Sequence, residues 1–179
     1  MFKKIAKLGG ILCAIALVTA LLLAVTNELT AGTIALRQQE AKNAAMTEVL
    51  PAEKYNRLKS EPDDYEIYAA FNGYDLAGYT VSLSEAGYGG NINMMIGITE
   101  DGKVSGISII EMSETPGLGD NAKNPEFRDM FKGLEKQDVA LTSAGGKVQA
   151  LSGATVTSKA VTAGVKRALE IAGGFENEQ

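Results

Sequence analysis

The chain has 179 residues, a formal charge of −5, no histidine and a single cysteine, which leaves room for one globular domain with attachments. These counts exclude histidine acid–base chemistry, histidine metal sites, an internal disulfide and a cysteine-ligated cluster. Three of the 17 basic residues, Lys3, Lys4 and Lys7, precede the first apolar run and every acidic residue follows it, so the remainder is strongly acidic and offers no basic patch for nucleic acid.

Leu8 to Asn27 is a run of twenty uncharged residues, ~30 Å as a helix and enough to cross a bilayer. The lysines ahead of it predict a cytoplasmic N-terminus over residues 1–7 and a domain on the extracytoplasmic side of a cell membrane. A cleaved signal peptide is the competing reading, but its apolar region would span ~7–15 residues. Here the run is longer and Val18-Thr19-Ala20 lies deep inside it, so residues 8–27 read as a retained anchor. Cys13 is a small packing residue within it, and Gly9 and Gly10 permit close helix contact. Leu29 to Leu50, rich in Ala, Gln, Glu and Lys, continues as helix to Pro51. Glu53 to Asp64 is charged, contains Pro62 and reads as a connection, making residues 28–64 a juxtamembrane helix and linker. Residues 65–179 are then the domain.

Two hairpins open that domain. Tyr65–Phe71 and Leu76–Ser84 flank Asn72-Gly73, and Ile92–Thr99 and Val104–Glu111 flank Asp101-Gly102. Gly87-Tyr88-Gly89-Gly90, between them, is too flexible for a strand interior. The alternation of Ile96, Ile98, Val104, Ile107, Ile109 and Ile110 is imperfect and implies a sheet with at least one well-buried face. Glu114-Thr115-Pro116-Gly117-Leu118-Gly119-Asp120 follows. Pro116 stops a ladder and the glycines let backbone amides approach a planar ligand, although an ordinary turn reads equally well. Asn124-Pro125-Glu126 starts a short helix through Phe131. Val139–Leu141 and Lys147–Ala150 are short strand candidates around an Ala144-Gly145-Gly146 turn.

The last segment, Leu151-Ser152-Gly153-Ala154-Thr155-Val156-Thr157-Ser158, leads into a helix. Val161, Val165, Leu169 and Ala172 recur near the helical period from Ser158, and Gly173-Gly174 supplies a stop. Thr155 to Ser158 then lie in the loop that opens it, where free N–H groups and the helix dipole favour an anion such as phosphate. The plain alternative is that Thr157 or Ser158 is an N-cap worth ~1 kcal/mol.

In this order the segments resemble the G subunit of Rnf ion-translocating electron-transport complexes and, more distantly, the C subunit of the sodium-pumping NADH:quinone oxidoreductase. The resemblance runs through nearly the whole chain: lysines, one anchor, hairpins, the Glu-Thr-Pro-Gly-Leu-Gly loop and the Ser-Gly-Ala-Thr segment. It implies an α+β FMN-binding domain behind a single transmembrane helix, with FMN joined through its phosphate to a threonine. By position that threonine is Thr155, with Ser152, Gly153, Ala154 and Thr157 beside the phosphate. Glu114, Thr115, Gly117, Leu118 and Gly119 are expected to approach the isoalloxazine ring. Where the family commonly has an acidic residue six positions before the threonine, this chain has Gln149.

The residues agree with this expectation. A threonine hydroxyl with no histidine to activate it is a poor nucleophile, so attachment calls for a separate flavin transferase using FAD. Lys159 or Lys147 are candidate counter-charges. The resemblance further implies a relay between ferredoxin and NAD coupled to Na⁺ or H⁺ transport, within a complex of other subunits. The chain has no G-x-G-x-x-G fingerprint for NAD and no cysteine set for an iron–sulfur centre, which assigns those sites to partners. The anchor contains no ionisable side chain except Cys13, so this chain alone is no ion path. The alternatives are the C subunit of the quinone reductase, a stand-alone flavinylated carrier and, from another class, a flavin-free membrane-anchored binding or sensor module.

Overall fold

A computed structural model describes residues 2–58 and 64–176, which puts Pro62 outside the described residues. The chain forms two units, Met1–Glu40 and Ala41–Gln179.

The described residues of the first unit are helical throughout. Helix α1 spans Phe2–Val49 without interruption, so the expected anchor and the helix after it are one element that ends before Pro51. Leu12, Leu17, Leu21, Leu22, Leu23 and Leu29 are all exposed along it, and the helix is long and apolar enough to cross a membrane.

The second unit is an antiparallel meander of five strands in the order β1-β2-β3-β4-β5. They are β1 (Lys54–Arg57), β2 (Tyr65–Asn72), β3 (Asp75–Ala86), β4 (Asn91–Thr99) and β5 (Val104–Glu111). β1 lies in the stretch expected to be only a connection; Tyr55 pairs with Ala70 and gives the sheet an extra edge. Both hairpins form, with small changes of turn. Asn72 pairs with Asp75, so the first turn is Gly73-Tyr74, one residue later than Asn72-Gly73, with Gly73 at φ 64°. The second closes through Gly102 N–H to the Thr99 carbonyl at 3.0 Å.

The imperfect alternation has a physical cause, since both faces of the sheet centre are covered. Tyr79, Val81, Leu83, Ile92, Met94, Ile96 and Ile98 join the main core. Helix α3 (Thr155–Glu176) packs there through Val161, Val165, Ala168, Leu169 and Ala172. A close approach falls at Gly164, where an added Cβ would stand 2.8 Å from Met94 Sδ. On the other face, Ala45, Met46, Val49 and Leu50 cover Ala70 and Met95. The last turn of α1 lies so close that a Cβ at Gly97 would be 2.8 Å from the Val49 carbonyl carbon. Ser105 Oγ donates to the Val49 carbonyl, Ser108 Oγ donates to Glu48 Oε2 at 2.6 Å, and Arg128 Nη1 reaches Glu48 Oε1 at 2.6 Å.

Two expectations are corrected and a third is refined. Val139–Leu141 and Lys147–Ala150 form no strands, only one parallel bridge between Leu141 and Val148. A single-turn helix (Thr142–Ala144) and left-handed Gly145 fill the space between them, leaving too few residues for a ladder. Gly173-Gly174 does not stop α3, which runs to Glu176; Phe175 packs against the core and outweighs the weak helix propensity of glycine. The short helix after Asn124 is present in two pieces, α2 (Pro125–Arg128) and a 3₁₀ turn (Asp129–Phe131).

Glu66 links this frame to pH. It accepts from Lys42 Nζ at 2.7 Å, Tyr68 Oη at 3.0 Å and Arg57 Nη2 at 3.2 Å. Burial pushes its carboxyl up, but the hydrogen bonds from Lys42 and Tyr68 and the nearby positive charges hold it below the usual carboxylate range. The folded chain therefore takes up this proton less readily than the unfolded chain. The stabilisation is present above the unfolded pKa and is lost as pH falls through the lower folded one. Glu66→Gln is expected to lower Tm at neutral pH, and thermal scans at progressively more acid pH should show the gap to wild type closing as Glu66 takes up its proton.

Candidate functional site

Two glycine turns meet where α3 begins. In Thr115-Pro116-Gly117-Leu118, the Leu118 N–H donates to the Thr115 carbonyl at 3.1 Å. Pro116 fixes the second position and Gly117 takes the third at φ 77°, the requirement of a type II turn. In Leu151-Ser152-Gly153-Ala154, the Ala154 N–H donates to the Leu151 carbonyl at 3.1 Å and Gly153 has φ 73°. The turns touch: a Cβ at Gly153 would stand 3.1 Å from Leu118 Cδ2.

Helix α3 starts at Thr155, three residues before the expected Ser158. Thr155 to Ser158 are thus the first helical turn and not the loop before it, and neither Thr157 nor Ser158 is the N-cap. Ala154 occupies that place, its carbonyl accepting the Ser158 N–H at 3.0 Å. The buried Ser158 hydroxyl donates to the same carbonyl and accepts from the Leu151 N–H, each at 2.9 Å, tying the turn onto the helix. Thr157, only 1% exposed, donates its hydroxyl to Glu114 Oε2 at 2.8 Å. Thr155 is exposed. Of the three hydroxyls in this turn, Thr157 and Ser158 are engaged internally, whereas Thr155 faces outward.

The two turns and the first turn of α3 wall a cleft of about 460 Å³ lined by Glu114, Thr115, Leu118, Gly119, Gly153, Ala154, Thr155, Val156, Thr157 and Tyr88. That size is within the ~300–1,000 Å³ of small-molecule sites. Large apolar side chains reach solvent here: Tyr88 is 75% exposed, Val156 50% and Leu118 43%. The N–H groups of Thr155, Val156 and Thr157 have no acceptor within the helix and lie at the positive end of its dipole.

Eight of the ten residues expected at the site therefore line one cleft. Ser152 and Gly117 belong to its turns without lining it. Tyr88 and Val156 were not anticipated. An aromatic residue inside Gly87-Tyr88-Gly89-Gly90 was the available signal, since such a loop can present a ring but cannot bury it. Lys147 is not a counter-charge for the cleft, because its ammonium pairs with Asp138 at 2.8 Å. Lys159 lines a separate groove with Val139, Leu141 and Thr162. Among the described residues no cluster of acidic and cysteine side chains is able to hold a metal.

Comparison with known proteins converges on the same segments. An FMN-binding domain family matches residues 87–170, and an RnfG N-terminal region matches residues 1–49. The chain is 35% identical, over 95% of its length and 92% of the relative, to the G subunit of the Na(+)-translocating ferredoxin:NAD(+) oxidoreductase complex of Acetobacterium woodii. It is 38% identical, over 86% of its length and 83% of the relative, to the G subunit of the proton-translocating ferredoxin:NAD(+) oxidoreductase complex of Clostridium ljungdahlii. The fold is similar to that of the C subunit of the Na(+)-translocating NADH-quinone reductase from Parabacteroides distasonis, with a TM-score of 0.54 and 20% identity over 73% of this chain and 79% of that one. With an FMN-binding domain at residues 87–170 behind an RnfG-type N-terminal region, the chain belongs to the G-subunit family of ion-translocating ferredoxin:NAD oxidoreductase complexes.

Proposed function

We propose that this chain is a membrane-anchored electron carrier that holds FMN by a phosphoester on Thr155 Oγ1. The observation that carries the reading is the division of hydroxyls in the first turn of α3: Thr157 is bound to Glu114, Ser158 to Leu151 and Ala154, and Thr155 remains outward on the cleft. The cleft fits the group chemically. Tyr88, Leu118 and Val156 offer apolar surface to a planar ring, and Gly153 presents no side chain to obstruct it. The unpaired N–H groups and dipole of α3 favour a phosphate at Thr155.

FMN supplies reversible electron transfer when bound, and the protein supplies its position and surroundings. Among the residues that line the cleft no base serves Thr155 Oγ1, because the carboxylate on its wall, Glu114, already accepts from Thr157 and from backbone donors. Attachment is therefore assigned to a separate flavin transferase. Thr155 Oγ1 would hold the FMN phosphate as an ester, and an FAD donor would supply the flavin phosphate with AMP as the leaving group.

Residues 8–27 anchor the chain in a cell membrane, with residues 1–7 in the cytoplasm and the FMN domain on the extracytoplasmic side, as the lysine bias indicates. The remaining members of the complex would bring the NAD and iron–sulfur chemistry that this sequence lacks motifs for. The quinone-reductase alternative rests on a likeness of fold alone, whereas the G-subunit relatives align over nearly the whole chain.

Co-expression with a flavin transferase, followed by denaturing electrophoresis, tests the reading directly. A band at the mass of the chain should fluoresce under ultraviolet light. A dark band, from chain of normal yield, would overturn the covalent assignment and favour a flavin-free binding module.

A further inference from the structure

The glycines around the cleft are arranged about a carboxylate. A Cβ at Gly119 would lie 2.6 Å from both Glu114 Oε2 and Thr157 Oγ1, and 3.0 Å from Glu114 Cβ. A Cβ at Gly87 would collide with Glu114 Oε1, and one at Gly89 would collide with the Ser113 carbonyl oxygen. Two glycines, Gly119 and Gly87, drawn from two separate loops, thus leave room for the Glu114 side chain to reach inward, while Gly89 makes room for the Ser113 backbone. The carboxylate uses that space fully. Oε1 accepts the Tyr88 N–H at 2.8 Å and the Gly89 N–H at 3.2 Å, while Oε2 accepts the Thr157 hydroxyl at 2.8 Å. The backbone bond from Gly87 N–H to the Gly90 carbonyl, at 2.8 Å, is internal to the loop and does not fasten it to anything else.

We infer that Glu114 is a positioning residue: its carboxylate clamps the Gly87–Gly90 loop to the first turn of α3 and so holds Tyr88 at the cleft mouth beside Thr155. This rests on the reading of the cleft as the FMN site, but reverses the expected part played by Glu114. The residue acts through Tyr88 and Thr157, with its oxygens facing protein donors. A carboxylate suits the task because each oxygen accepts more than one hydrogen bond, and charged acceptors hold N–H donors more strongly than neutral ones. A loop with three glycines among four residues has many alternative conformations, so a clamp of this kind decides where its single aromatic ring stands.

Amide hydrogen exchange on the full-length chain in detergent, before flavin loading, tests the clamp without reference to FMN. Glu114→Ala is expected to speed exchange at Tyr88 and Gly89 by at least about tenfold. Glu114→Gln, whose carbonyl still accepts from the loop and whose amide faces the Thr157 oxygen, should stay within about threefold of wild type. Gly87→Ala leaves Glu114 and Thr157 intact but drives a methyl group against Oε1, with the Gly90 carbonyl oxygen and Ile92 Cδ1 each 2.9 Å away; it should reproduce the alanine result at Gly89, and it supports the clamp when Glu114→Gln stays near wild type. After loading, iodide should quench the flavin more readily in Gly87→Ala than in wild type. Unchanged exchange at both amides in Gly87→Ala, or a Glu114→Gln chain as fast as Glu114→Ala, would overturn the clamp. Failure of the FMN reading shows differently, as a wild-type chain that never becomes fluorescent.

Discussion

Thr155→Val is expected to abolish covalent flavin completely, giving a dark band and an unmodified intact mass, while the domain stays folded. Thr155 is exposed at the first position of α3, where its side chain is not part of the buried packing. Replacing it by an isostere should therefore shift stability by no more than about 0.5 kcal/mol. Thr157→Val is the mirror case. The hydroxyl lost there is buried and bonded to Glu114 at 2.8 Å, so stability should fall by about 1–2 kcal/mol while the band stays bright. Thr155→Ser, which keeps an oxygen at the same place, should retain at least part of the label. The opposite pattern, bright with Thr155→Val and dark with Thr157→Val, would move the attachment to the buried hydroxyl. It would also require the Glu114 bond to open during maturation.

A chain shortened to begin at Tyr65 is expected to lose cooperative unfolding altogether, whereas one beginning at Ala41 should keep it. The shorter chain lacks β1 and the last turns of α1. Met46, Val49 and Leu50 are buried against Ala70 and Met95, and each large apolar side chain removed from water contributes about 1.5–3 kcal/mol. Their sum approaches the about 5–15 kcal/mol that holds a typical domain together. The loss also strips Gly97 and Gly106 of the backbone that lies over them and leaves β2 as a bare edge open to association. Thermal unfolding followed by circular dichroism, with light scattering for aggregation, separates the two chains. A sharp transition in the Tyr65 chain would show that the α1 end is an attachment and not a part of the domain.

Much of the fold was legible in short-range chemistry. Gly73 and Gly102 each adopt the left-handed conformation in their hairpin turns, which is why Asn72-Gly73 and Asp101-Gly102 marked those turns to within a residue. Pro51 ended α1, and Asn124-Pro125 opened α2. What escaped were elements defined by distant partners. β1 has only four residues and a mixed pattern, so nothing in Lys54–Arg57 announces a strand until β2 is beside it. Gly173-Gly174 looked like a stop because glycine is a weak helix former, while Phe175 finds its packing in the core. Val139–Leu141 and Lys147–Ala150 had strand composition without the length for a ladder.

The site divides in the same way. The anchor, the hairpins and the two short motifs in order carried the resemblance to the G-subunit family, which the family models and relatives bear out, and by that resemblance Thr155 is the residue proposed to hold FMN. Those features are local and survive as strings. Only the tertiary structure could assign the neighbouring hydroxyls, because Thr157 meets Glu114 across 43 residues and Ser158 turns back to Leu151. Only it could bring Tyr88 to the cleft, and show that Gly119 and Gly87 make room for a carboxylate. A glycine's need is set by what approaches it in space, and that neighbour is invisible along the chain.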